Sequence, residues 1–368
     1  MMNNDNTEKL IAWPETNQDD ELARCVARLA EADGPADEAG IWPEPLWRLV
    51  VDSRAPRWAL PLSDGGLEFE RASLLERYAR LAEGSMTAAF ILTQHDSALR
   101  RLLAARDRPV AERWIDAIAN DGAFTTVGIS QLTTSRRHGA QALRAIERPG
   151  GYRLEGTMPW VTAAERAQVL VTGAVTDDGQ QILIALPTDR AGVTIPAPFP
   201  LAALQASRTT EVVCEGVEIQ RDEILAGPVP NVIATPGAAG TGGLETSALA
   251  LGLARAAVAA LIAETPARNE LDEPAEALAV AWNELWIALM RTAREEANAA
   301  TPGQIRALAN ALVLRTTQAH LTVRKGTGFL RTDPAQRWAR QALFFLVWSC
   351  PSPVAQASIR DFAGLCAP

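Results

Sequence analysis

Histidine, cysteine and lysine carry much of the nucleophilic, metal-binding and Schiff-base chemistry of proteins, and this chain has few of them. Its histidines are His95, His138 and His320, its cysteines Cys25, Cys214, Cys350 and Cys366, and its lysines Lys9 and Lys325, so 33 of its 35 basic residues are arginine. No two cysteines stand at CxxC spacing and no two histidines lie within one helical turn, which excludes zinc ribbons, zinc fingers and HExxH proteases and signals no metal site. GxxxxGK[ST] and GxSxG are also absent, so neither a P-loop nor a hydrolase elbow is signalled. Two candidates stand on helices. His95, in Thr93-Gln94-His95-Asp96, reads as a polar helix end. Glu245 opens an apolar helix, where a carboxylate complements the dipole.

The elements that position these residues fall into thirds. Residues 19–32 place Leu22, Cys25, Val26 and Leu29 at helical spacing, and 73–81, 86–103 and 110–119 continue the pattern, with a proline-rich loop between Pro43 and Pro61. Short apolar runs at 124–130, 142–147, 152–155, 169–175, 182–186 and 212–219 predict strands, and Asp177-Asp178-Gly179 predicts a hairpin. Helices are expected again at 244–264, 274–299, 302–323 and 334–348, two of them opened by Thr301-Pro302 and Asp333-Pro334 as N-cap and N1 pairs. The expected architecture is an N-terminal helical domain (1–119), a middle β-barrel or sandwich (120–232) and a C-terminal four-helix bundle (233–368). A net charge of −9 argues against nucleic acid as a partner. The run 248–263 is broken by Arg255 and 342–348 is short, so no membrane span is expected. Few cysteines and a polar start predict a cytoplasmic protein.

This order resembles the acyl-CoA dehydrogenase family from about residue 70 onward. Gly151-Tyr152-Arg153-Leu154-Glu155-Gly156 followed by Met158-Pro159-Trp160-Val161-Thr162 is similar to the family's Gly-x-x-x-x-Gly-x-x-x-Trp-Ile-Thr stretch. Ala191-Gly192-Val193, then Leu204-x-x-Ser207-x-Thr209, then 212–225 resemble the rest of its β-domain. Leu251-Gly252-Leu253-Ala254 resembles the opening of its bundle, and Gly326-x-Gly328-Phe329 its Gly-Gly-x-Gly turn. The resemblance implies FAD held between β-domain and bundle and completed by a second subunit, in a homodimer or homotetramer. Gly128, Ile129 and Ser130 then match the strand end facing the flavin ring, Trp160, Val161 and Thr162 the segment packing on it, and Gly326 and Gly328 the turn at its adenosine end. The implied substrate is an acyl-CoA or another acyl thioester.

The chain departs from the pattern where the chemistry lies. Family dehydrogenases take the substrate's α-proton with a glutamate in a Tyr-Glu-Gly-Thr-like stretch; here the same place reads Trp348-Ser349-Cys350-Pro351, and a serine alone is no base near neutral pH. Some relatives carry the glutamate on the first bundle helix, where Glu245 stands one turn late, about 5.4 Å along the axis. The loop after Ser130 carries Arg136 and Arg137, which either hold an anionic substrate or are solvated. Lys325 replaces the first glycine of the Gly-Gly-x-Gly turn, and Thr322 the glutamine before it. Three functions stay open: an FAD-dependent dehydrogenase with Glu245 as a displaced base; a flavin monooxygenase in which His95, Ser130 or Ser207 meets substrate or oxygen chemistry; and a non-catalytic binding or assembly protein that kept the fold.

Overall fold

The computed structural model describes residues 4–13, 20–132, 143–234 and 243–365. Among the described residues six α-helices come first: α1 (Asn4–Leu10), α2 (Asp20–Ala39), α3 (Glu44–Asp52), α4 (Arg71–Gly84), α5 (Met86–Ala104) and α6 (Pro109–Asn120). α2 continues past residue 32 and through Pro35, which normally interrupts a helix. Two buried aspartates hold it: Asp33 receives Arg337 Nε at 2.8 Å and Asp37 receives Arg340 Nη2 at 2.7 Å. α3 lies inside the interval expected to be loop. Pro45 sits in its first turn, where a missing N–H costs nothing, and Leu46, Leu49 and Val50 bury its inner face.

The middle third is one mixed sheet of β1 (Thr125–Gly128), β2 (Arg144–Arg148), β3 (Gly151–Val161), β4 (Val169–Thr176), β5 (Gln181–Pro187), β6 (Val193–Thr194), β7 (Thr210–Gln220) and β8 (Ile224–Val229). The order is β6-β7-β3-β2-β4-β5-β8, with β1 parallel to β4. Asp177-Asp178-Gly179 forms the β4–β5 hairpin, with Gly179 at φ 82°. β4 and β5 are apolar on both faces for a reason. Leu170, Ala174, Ile182, Ile184 and Leu186 fill the interior of the curled sheet, while Val169, Val171, Leu183 and Ala185 pack with residues of α5 and α6. β8 escapes the pattern because Pro228 interrupts it, and it lies at the end of the strand order, where proline is tolerated.

Five helices follow among the described residues, one more than expected: α7 (Leu244–Glu264), α8 (Asp272–Ala293), α9 (Pro302–Arg324), α10 (Pro334–Phe344) and α11 (Ser352–Phe362). Both proline-marked starts form as read. Thr301 Oγ1 accepts from Gln304 N at 3.3 Å, and Asp333 Oδ1 from Ala335 N at 2.9 Å. α7 is long and apolar enough to cross a bilayer, yet 78% of its most apolar window is buried inside the fold. It crosses α4 at Gly252, where a Cβ would lie 2.0 Å from the Ala79 carbonyl oxygen. The largest core joins α2–α5 to α7–α10, so the first and last thirds share one interior.

Candidate active site

Three chain segments meet at one corner of the sheet. At the end of β1, Gly128 leaves room for Val161, whose Cγ2 would lie 3.2 Å from a Cβ there. Ser130 Oγ donates to the Pro159 carbonyl at 2.5 Å. Buried Gln131 pins the same strand end: its Nε2 reaches the carbonyls of Gly128 (3.0 Å) and Gly173 (2.7 Å). The Ile129 side chain belongs to the core against α5 and α6, and its carbonyl accepts from Leu132 N at 2.9 Å.

β3 should point alternate residues inward, but its register slips between Met158 and Val161. Trp160 takes φ 61° and turns its indole outward, 55% exposed, 5.0 Å from the Phe199 ring. Val161 and Thr162 beside it are buried. The Thr162 hydroxyl lies 3.2 Å from Thr209 Oγ1, which lies 2.9 Å from Ser207 Oγ. Ser207, expected to meet substrate, is fully buried, and its carbonyl accepts from Ala163 N at 3.0 Å.

Backbone strain concentrates at the positions marked by the family resemblance. Ten non-glycine residues among those described have positive φ; Trp160, Ala163, Leu204 and Arg208 lie at this corner, and Lys325 and Ser349 at two more marked segments. Each such residue costs on the order of 1–3 kcal/mol, and such strain gathers at ligand sites.

The proton-handling candidates lie on the helices. His95 sits inside α5 rather than at its end, buried between Phe124 (5.3 Å) and Trp47 (6.4 Å), with Nδ1 3.2 Å from the Thr125 carbonyl. Burial pushes its pKa down to about 4, so the imidazole is neutral. About 7.5 Å further along α5, Arg100 Nη1 meets Glu245 Oε1 of α7 at 3.2 Å. One turn before Arg100, Asp96 is wholly buried and accepts from the Tyr78 hydroxyl of α4. Burial pushes its carboxyl up to about 7. Tyr78, Asp96, Arg100 and Glu245 thus form one ionisable cluster joining α4, α5 and α7. Only Glu245 was singled out from sequence. The Asp96–Arg100 spacing of four residues was the available signal for the rest.

Ser349 follows α10 at φ 43°, half-buried. Trp348 beside it stacks on Phe344 (5.2 Å, 14°) and meets Phe90 of α5 edge-on (4.8 Å). Buried Arg306 of α9 holds this turn from below, donating through Nη2 to the Trp348 (2.8 Å) and Phe345 (3.1 Å) carbonyls. At the end of α9, Lys325 keeps a positive φ of 52° in glycine's place. A Cβ on Gly326 would meet nothing within 4 Å, whereas one on Gly328 would lie 2.5 Å from Arg324 Cβ. The structure therefore brings together Gly128, Ser130, Trp160, Val161, Thr162 and Ser207. α5 runs past this corner, touching both β1 and the turn at 205–207, and carries His95 and the partner of Glu245. α10 reaches the same corner where Arg340 Nη1 donates to the Ala202 carbonyl at 2.7 Å. Arg136 and Arg137 lie outside the described residues.

These residues fit the ring of a flavin. An outward indole backed by Phe199 offers an apolar face, and Ser130 and Thr162 offer neutral hydroxyls. Gly326 leaves open space at the second segment.

No family model matches the chain. It is 28% identical over 162 residues to a probable acyl-CoA dehydrogenase, YngJ, of Bacillus subtilis, covering 43% of each protein. It is 23% identical over 258 residues to the benzylmalonyl-CoA dehydrogenase of Aromatoleum aromaticum, covering 67% of this chain and 66% of that one. The sequence match thus spans less than half of the first relative and about two thirds of the second. In three dimensions the chain resembles glutaryl-CoA dehydrogenase from Mycobacterium smegmatis in complex with FADH2 (TM-score 0.78, 19% identity, 98% of this chain and 97% of that). It resembles butyryl-CoA dehydrogenase from Megasphaera elsdenii comparably (0.78, 17%, 96% and 100%). FMN-bound TdsC from Paenibacillus sp. A11-2 shares the fold at 0.72, with 18% identity over 95% and 98%. The chain thus has the acyl-CoA dehydrogenase fold over nearly its whole length and resembles two dehydrogenases in sequence over part of it.

Proposed function

We propose that the chain is a cytoplasmic, FAD-dependent oxidoreductase that desaturates an acyl thioester, with Glu245 rather than a residue of the Trp348–Pro351 turn taking the α-proton. The observation that carries this reading is Trp160: a bulky residue held at φ 61° so that its indole stands outside the sheet it could have packed into. A bound flavin supplies the hydride acceptor. The chain supplies the rest. Trp160 and Phe199 cover one ring face, and the Ser130 and Thr162 hydroxyls bond polar ring edges. Glu245 receives the proton while Arg100 orients its carboxylate. Residues 325–328 serve the far end of the cofactor, completed by a second copy of the chain in a homodimer or homotetramer.

A second reading rests on Ser349. A hydroxyl where a carboxylate is expected suits a flavin monooxygenase. His95 offers that reading little support, because it is wholly buried between Phe124 and Trp47.

Anaerobic mixing of the flavin-loaded protein with acyl-CoAs separates the two. Bleaching of the flavin by an acyl-CoA, abolished in Glu245→Gln, is the expected result. Oxygen uptake driven by NADH and a reductase, with no bleaching by acyl-CoA, assigns the monooxygenase instead.

A further inference from the structure

Thr209 is the hub of the sheet corner. Its carbonyl accepts from Phe199 N at 2.9 Å, holding the ring that backs Trp160. Its hydroxyl lies between those of Ser207 (2.9 Å) and Thr162 (3.2 Å), and all three residues are buried.

Each hydroxyl has one proton to give, so one proton of the row is left over: that of Thr209 if both neighbours donate to it, otherwise that of an end residue, according to which way the row runs. Running from Thr162 to Ser207, it ends on the Ser207 proton, which then lacks an acceptor at a fully buried residue. That carries the penalty of an orphaned donor. Running from Ser207 through Thr209 to Thr162, every inner proton is used and the Thr162 O–H is left to donate outward. The second direction leaves the one unshared proton on Thr162, two residues from the outward Trp160, where a ligand at the corner can accept it.

We propose that Ser207 and Thr209 are positioning residues that polarise the Thr162 hydroxyl, making it a fixed donor to the flavin. This rests on the flavin reading above. It moves Ser207 from substrate contact to a role two hydroxyls removed from the ring. Thr209 holds two of the groups that meet the ring, Trp160 through Phe199 and Thr162 through its hydroxyl.

The test loads the full-length parent and its Thr209→Val, Thr209→Ser and Ser207→Ala variants with FAD. It then reads binding by flavin fluorescence quenching, the visible flavin band, and the reduction midpoint potential. Thr209→Val keeps shape and backbone and breaks the row. It should bind FAD about three- to ten-fold more weakly, the size of one hydrogen bond, and shift both band and potential. Thr209→Ser should restore all three readings. Ser207→Ala should shift the band in the same direction and stands in if Thr209→Val does not fold. A purely structural role would lower thermal stability and leave band and potential unmoved. Folded variants with the parent's affinity, band and potential overturn the relay. A parent that takes up no FAD overturns the flavin reading, and the relay with it.

Discussion

The corner of the sheet and the junction of α4, α5 and α7 are built on opposite terms. The corner is neutral: three buried hydroxyls in a row, an outward indole, and four strained non-glycine residues within a short stretch of space. The junction is ionisable, with Tyr78, Asp96, Arg100 and Glu245 clustered where α4, α5 and α7 meet. A planar cofactor needs shape and hydrogen bonds that do not titrate, and the strained, neutral corner offers both. Proton transfer depends on burial and partners, and a few substitutions redistribute it. In this chain the carboxylate expected beside Trp348 is gone, and the remaining candidate on α7 is paired with an arginine.

Removing the carboxylate breaks the comparison hardest. Glu245→Gln should lower flavin reduction by acyl-CoA about 10²–10⁴-fold in stopped-flow measurements while leaving flavin affinity unchanged. An equal loss of affinity would mean that the two regions act as one. Trp160→Ala should do the reverse, weakening flavin binding about ten- to hundred-fold with little change in melting temperature, because the indole is largely exposed. Trp160→Gly sharpens this further. Relief of the φ 61° strain should raise stability by about 1 kcal/mol even as flavin is lost.

The pH dependence of stability resolves the charged side. Folded Asp96 keeps its proton up to about 7, against 3.8 when unfolded, so its stabilisation is full below about pH 4 and is lost as pH rises toward 7. Folded His95 stays neutral down to about 4, against 6.5 when unfolded, so its stabilisation is full above about 6.5 and is lost as pH falls toward 4. The two slopes oppose each other across the same window. Asp96→Asn should therefore gain stability from pH 4 to 6.5 more steeply than the parent, the two profiles diverging by about 2–4 kcal/mol in thermal or urea unfolding. His95→Gln should tilt the profile the other way. Parallel profiles would show that neither group is buried as described.

The smallest effect is expected at the turn that lost its acid. Ser349→Ala should change acyl-CoA reduction less than about three-fold, since a lone hydroxyl contributes no base. A loss as large as that of Glu245→Gln would return the chemistry to α10.

Much of the fold was legible because its signals are local. Short apolar runs marked β4, β5 and β7, Asp177-Asp178-Gly179 marked the hairpin, and two N-cap–proline pairs marked the starts of α9 and α10. α3 and β8 were hidden behind prolines that tertiary packing tolerates, and α2 ran on through Pro35 because arginines far along the chain bind its aspartates. The corner was partly legible: Trp160 and Thr162 stand in a recognisable stretch, but the burial of Ser207 and its bond to Thr209 follow from a bend that no spacing encodes. The ionisable cluster was the least legible, because Tyr78, Asp96 and Glu245 come from three helices and each alone reads as an ordinary polar residue.

The central claim is that the outward Trp160 corner exists to hold a flavin, and the visible absorption spectrum of the protein as purified tests it most directly. The account predicts flavin bands, and FAD released on denaturation. A colourless protein whose spectrum shows no bound flavin after incubation with excess FAD and removal of the free cofactor would contradict it.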